Sequence, residues 1–167
     1  QMIRDDYTTL AVSIPEIVRQ SAESLDYLHE QGWIHCDVKP DNFLVNKQGE
    51  VKLIDFSIAQ LLRKQKRSLF GKKVIQGTRS YMSPEQIRGK PLARTTDVYG
   101  FGCVMHELLA GKPPFSGNNP DELLQKHLRA TAPPLIAFNK AVSEDFSNLI
   151  LDTLKKDPAK RPQSLQE

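Results

Sequence analysis

Apolar side chains recur at Ile14, Ile17, Val18, Ala22, Leu25 and Leu28, the three- and four-residue spacing that lines one face of a helix. The pattern predicts a helix over residues 13–31. Ser13-Ile14-Pro15-Glu16 has the form of a capping box with proline in the first turn, and Gly32 suits the left-handed turn that ends such a helix. Trp33-Ile34 then leads into a polar loop. Phe43-Leu44-Val45 and Val51-Lys52-Leu53-Ile54 read as short strands, joined through the hairpin signal Lys47-Gln48-Gly49. That hairpin would bring the polar loop before it and Asp55 after it to one rim. Residues 57–80 show weak periodicity and hold much of the local charge, at Arg63, Lys64, Lys66, Arg67, Lys72 and Lys73. So long a stretch without strong pattern is expected to be functional or mobile. Thr96 to Ala110 turns helical and apolar, closed by Gly111 and Pro113-Pro114. Residues 121–129 and 143–156 predict two further helices, with Phe146, Leu149, Ile150 and Leu154 on the inner face of the second. The expectation is a mainly α chain with one small hairpin.

At 167 residues, 39% hydrophobic and 26% charged, the chain has ordinary globular composition and room for one core. A net charge of +3 is too mild to argue for nucleic acid. The basic stretch 63–73 interleaves only one aromatic, Phe70, which makes a nucleic-acid surface there a weak idea and a solvated face the simpler one. Cys36 and Cys103 are far apart with no C-x-x-C, so neither a disulfide framework nor a zinc site is suggested, and a reducing, cytoplasmic setting fits. No apolar run approaches the ~20 residues of a membrane span. There is no signal-peptide pattern and no internal repeat.

The chemistry concentrates at His35-Cys36-Asp37-Val38-Lys39-Pro40-Asp41-Asn42, followed thirteen residues later by Asp55-Phe56-Ser57. Here are a carboxylate, a lysine two residues on, an amide oxygen five residues on, and a second carboxylate at a strand end. Phosphoryl transfer asks for that set: one group to orient a hydroxyl, one cation against phosphate charge, and oxygen ligands for Mg²⁺. Taken singly, each residue has a plainer reading. Asp37 and Asp41 suit a turn around Pro40, His35 a packed and hydrogen-bonded histidine, Asp97 after Thr95-Thr96 a helix cap, and Cys103 and Met105 a core helix. The joint spacing of Asp37, Asn42 and Asp55 favours the functional reading for those three.

These two segments resemble the catalytic loop H-R-D-x-x-x-x-N and the D-F-G metal loop of protein kinases, matching at Asp37, Asn42 and Asp55. Four more segments are similar in the same order. Gly77-Thr78-Arg79-Ser80-Tyr81-Met82-Ser83-Pro84-Glu85 looks like the end of an activation segment, and Asp97-Val98-Tyr99-Gly100-Phe101-Gly102 like the start of the buried central helix. Gly111-Lys112-Pro113-Pro114-Phe115 looks like the turn after that helix, and Asp157-Pro158-Ala159-Lys160-Arg161-Pro162 like the arginine segment near the domain end. The resemblance implies a kinase-like C-terminal lobe over residues 1–167: a helical bundle, mainly α within an α+β family, whose small hairpin carries the catalytic and metal loops.

It further implies serine/threonine substrates, with ATP and Mg²⁺ as cofactors. Asp37 would accept the substrate hydroxyl, Lys39 steady the γ-phosphate, Thr78 sit between them, Asn42 and Asp55 hold Mg²⁺, and Leu44 lie on the adenine. Glu85 and Arg161 would form a buried ion pair, and Asp97 would brace the catalytic-loop backbone. The chain departs from the family pattern at three places. No G-x-G-x-x-G or strand lysine precedes the catalytic loop, so the N-terminal lobe is expected to be absent and the isolated chain inactive. Cys36 stands where many kinases have an arginine that pairs with a phosphate on the activation segment, and a thiol cannot make that bond. Ser57 replaces a glycine for which positive φ is easy. The alternative is a pseudokinase or a non-catalytic scaffold module.

Overall fold

The computed structural model describes residues 14–62 and 77–165. The expected cap at Ser13 and the charged stretch 63–73 lie outside them. Helix α1 runs Ile14–Glu30 and buries Ile17, Ser21, Leu25, Asp26 and His29 on one face, close to the predicted stripe. It ends in a turn in which Gly32 takes φ 81, left-handed backbone that glycine adopts at no steric cost.

The expected hairpin forms from β2 (Phe43–Val45) and β3 (Val51–Leu53), antiparallel with Phe43 opposite Leu53 and Leu44 opposite Lys52. Ile54 falls just outside β3, although its N–H continues the same register by donating to the Asn42 carbonyl (2.9 Å). A second pair had no sequence signal: β1 (Trp33–Ile34) joins β4 (Gln60–Leu61), with Trp33 opposite Leu61. Both strands are two residues long, too short for alternation to register.

After the short α2 (Pro84–Ile87), α3 (Arg94–Ala110) is the central element. Every residue from Thr95 to His106 is buried, as expected of a helix surrounded by other elements. α4 (Pro120–Arg129) and α5 (Glu144–Thr153) complete the bundle, and α3 packs chiefly on α5. The core gathers Leu25, Val38, Phe43, Tyr99, Phe101, Cys103, Met105, Phe115, Leu135, Ile150 and Leu154. Two expectations for the last helix change. It stops at Thr153 rather than 156, because the Leu154 N–H bonds Leu151 and Asp152 carbonyls in a tightened turn. Leu149, expected on the inner face, is 37% exposed; Ile150 and Ser147 take the buried positions. Among the described residues no helix is long and apolar enough to cross a membrane.

Candidate active site

The polar loop between β1 and β2 is held from beneath by α3. Asp97, fully buried in the first turn of α3, accepts the His35 N–H at Oδ2 (2.7 Å) and the Cys36 N–H at Oδ1 (2.8 Å). His29 of α1 reaches the same Oδ2 through Nε2 at 2.8 Å. A residue whose position also suited a plain helix cap is thus spent on loop amides, and the cap-like bond falls to Thr96, whose hydroxyl accepts the Ala93 N–H at 3.1 Å. His35 is buried. Its Nδ1 accepts the Asp37 N–H (3.3 Å), so the neutral ring carries its hydrogen on Nε2 and donates to the Ile54 carbonyl (3.0 Å). This is the structural histidine the sequence led one to expect, and it ties the polar loop to the segment that presents Asp55.

With the backbone so held, Asp37, Lys39, Thr78 and Asn42 form one bonded cluster. Asp37 Oδ2 accepts from Lys39 Nζ at 2.7 Å. Its Oδ1 accepts from Thr78 twice, the N–H at 2.9 Å and the hydroxyl at 3.0 Å. Asn42 Nδ2 donates to the Asp37 carbonyl at 2.8 Å, leaving its Oδ1 outside that bond. Burial alone would raise the Asp37 carboxyl, but the bonds from Lys39 and Thr78 outweigh it and hold the group below the ordinary carboxylate range. The bond to Asp37 in turn raises Lys39, with Asp55 and Asp41 adding to it. The loop therefore carries a firmly ionised pair.

Asp55 follows one residue after Ile54 and is exposed. Ser57 bonds its carboxylate and, with the Lys39 charge, lowers it. The left-handed conformation at this turn sits on Asp55 (φ 63), not on Ser57, and Asp is among the residues that tolerate it. The serine that replaces glycine thus carries none of that strain. Leu44 is 53% exposed on β2, outside the bonded cluster. Cys36 is buried, and burial first, then the Asp97 and Asp37 charges, push its thiol far up, which makes it an inert side chain.

Glu85 and Arg161 meet as expected, buried and bidentate at 2.7 and 2.9 Å. Arg161 also donates to the carbonyls of Thr95 (2.7 Å) and Lys155 (2.7 Å). Several participants had no usable sequence signal. His29, Gln86 and the Tyr81–Glu107 bond (2.6 Å) join parts distant in the chain, and only the folded arrangement shows them.

The protein kinase domain family model matches residues 2–167. The serine/threonine-protein kinase PknB of Mycobacterium tuberculosis is 36% identical over 152 residues, 91% of this chain and 24% of that protein. The probable serine/threonine-protein kinase PknB of Corynebacterium glutamicum is 35% identical over 173 residues, covering 100% of this chain and 26% of its own length. The chain spans about a quarter of the length of the curated relatives it matches.

Proposed function

This chain belongs to the protein kinase family, and we propose that its rim of loops is the catalytic half of a serine/threonine phosphotransfer site. The observation that carries the reading is the ionised Asp37 carboxylate, held by Lys39 on one oxygen and Thr78 on the other. A carboxylate accepts about four hydrogen bonds, so Oδ2 keeps a place for a substrate hydroxyl. In this reading Asp37 orients that hydroxyl and takes its proton, and the Lys39 ammonium stabilises charge on the phosphoryl oxygens. The names of the relatives support serine and threonine as acceptors.

The donors present suit Mg²⁺. Asn42 has its amide oxygen free of the bond to Asp37, Asp55 offers an exposed carboxylate, and both are hard oxygen ligands. Bound Mg-ATP would supply the transferable phosphoryl group and its charge neutralisation. Leu44 would give the adenine an apolar surface.

A groove of about 600 Å³ opens beside the site between α1 and β3, bordered by Tyr27, Leu28, Val51, Leu53, Ile54 and Phe56. Tyr27 is 67% and Phe56 50% exposed. Apolar area of this kind supports a covering strand-rich lobe, and in this reading the 167-residue chain needs that lobe for activity. Purified chain given Mg-ATP and a serine-containing acceptor protein is expected to transfer no phosphate. A chain extended on its N-terminal side to include such a lobe gains transfer, and Asp37→Ala then lowers kcat by about 10²–10⁴. Transfer by the extended chain that survives Asp37→Ala would overturn the role given to Asp37, and an extended chain that transfers none would favour a non-catalytic module.

A further inference from the structure

The Gln86 side chain makes two bonds of opposite sense. Its Oε1 accepts the Ser83 N–H at 2.9 Å, completing with the Ser83 hydroxyl a capping box at the start of α2. Its Nε2 donates to the Cys36 carbonyl at 2.7 Å, fifty positions away in the chain. The two partners assign the amide unambiguously, since one is a donor and the other an acceptor. Cys36 stands at φ 70, left-handed backbone, and its N–H is already taken by Asp97. Gly77 lies against the same spot: a Cβ there would be 3.3 Å from the Cys36 carbonyl oxygen and 3.4 Å from Gln86 Nε2. The next residue, Thr78, gives both its donors to Asp37.

From this geometry we infer that Gln86 is a positioning residue, which registers the 77–86 segment on the catalytic loop through the Cys36 carbonyl and so sets the Thr78–Asp37 contact. The inference rests on the reading of Asp37 given above for its functional meaning. Its physical content is a coupling between α2 and the loop made by neutral hydrogen bonds. At a position where Cys36 offers no cationic side chain, this bond gives the segment a hold on the loop that uses no charge.

A cap and a positioning bond separate because Gln86 uses a different atom for each. Gln86→Glu keeps the acceptor for Ser83, and glutamate serves a capping box as well as glutamine does. It loses the donor to Cys36. Gln86→Lys keeps a donor and loses the cap. The experiment compares amide hydrogen exchange at Thr78, read by fragment-resolved mass spectrometry on the 167-residue chain kept at submicromolar concentration, with the melting temperature of each variant. Gln86→Glu is expected to melt slightly below the parent, by the loss of one part-buried hydrogen bond, while Thr78 exchanges about tenfold faster relative to global unfolding. Gln86→Lys is expected to melt lower while Thr78 keeps its protection relative to global unfolding.

If Thr78 keeps parent protection in Gln86→Glu, Gln86 is only a cap and the inference is overturned. If Gln86→Glu does not fold cooperatively, the lysine variant decides: lost Thr78 protection there overturns the inference, and retained protection upholds it. The readout contains no nucleotide, so it stands or falls separately from the phosphotransfer reading.

Discussion

Arg161 donates to both oxygens of Glu85 and to backbone carbonyls on two sides, and its guanidinium lies 4.8 Å from the centre of the Tyr99 ring. Removing one member of such a pair strands the other in the interior. Arg161→Met is therefore expected to cost about 3–5 kcal/mol in urea unfolding, while Glu85→Leu combined with Arg161→Met recovers a large part of that loss. His127 is a second buried group with a measurable consequence. Its Nδ1 meets the Tyr99 hydroxyl at 2.9 Å, Phe115 packs on it edge-on, and Nε2 has no hydrogen-bond partner among the described residues. Burial first, then the Lys156 charge, lower it from 6.5 to about 4, against a smaller opposing effect of the Ser80 backbone. The unfolded chain then takes up this proton near pH 6.5 and the folded chain only near pH 4, so stability is full above pH 6.5 and falls as pH drops through that window. The loss reaches about 3 kcal/mol. Urea midpoints measured from pH 7 to 4 should fall in the parent and flatten in His127→Gln.

At the scale of elements, the α3–α5 contact depends on one missing methyl group. A Cβ on Gly102 would sit 1.9 Å from Thr153 Oγ1 and 3.2 Å from Leu154 Cδ2. Thr153 cannot swing aside cheaply, because it is β-branched and its hydroxyl donates to the Ile150 carbonyl at 2.7 Å. Gly102→Ala gains about 1 kcal/mol of helix propensity, but a 1.9 Å contact puts its overpacking cost toward the upper end of the usual range of about 1–3 kcal/mol, a net destabilisation of about 1–2 kcal/mol. Adding Thr153→Ala, which removes the hydroxyl that a Cβ would strike, should restore part of the melting temperature; equal melting of parent and Gly102→Ala would refute the contact. The sequence marked α3 and α5 by periodicity, but not this close approach: a glycine in a helix pattern looks the same whether it faces solvent or a neighbour.

For the molecule as a whole, two exposed aromatic side chains, Tyr27 and Phe56, line the groove between α1 and β3. Exposed apolar surface on this scale favours association. The isolated chain is expected to self-associate at micromolar concentration in sedimentation velocity runs, and Tyr27→Lys with Phe56→Ser to return it to monomer. A monodisperse parent that melts cooperatively would contradict this. Asp37, Lys39 and Asn42 were legible as a group because loop chemistry is local: six residues fix which functional groups can share one turn.

What the amino-acid sequence determined by itself was the inventory and its order. It held the long helical stripes, the hairpin, the carboxylate–lysine–amide spacing, and the pairing partners Glu85 and Arg161. Those follow from periodicities and spacings of a few residues, or from a family likeness strong enough to carry distant positions. Tertiary structure alone decided that Asp97 serves loop amides rather than its own helix, that Gln86 reaches Cys36, that His127 is buried under the influence of the Lys156 charge, and that Leu149 faces outward. Each of these depends on which side of an element meets a neighbour from far along the chain. Such contacts are made by packing, and packing leaves no period in the sequence.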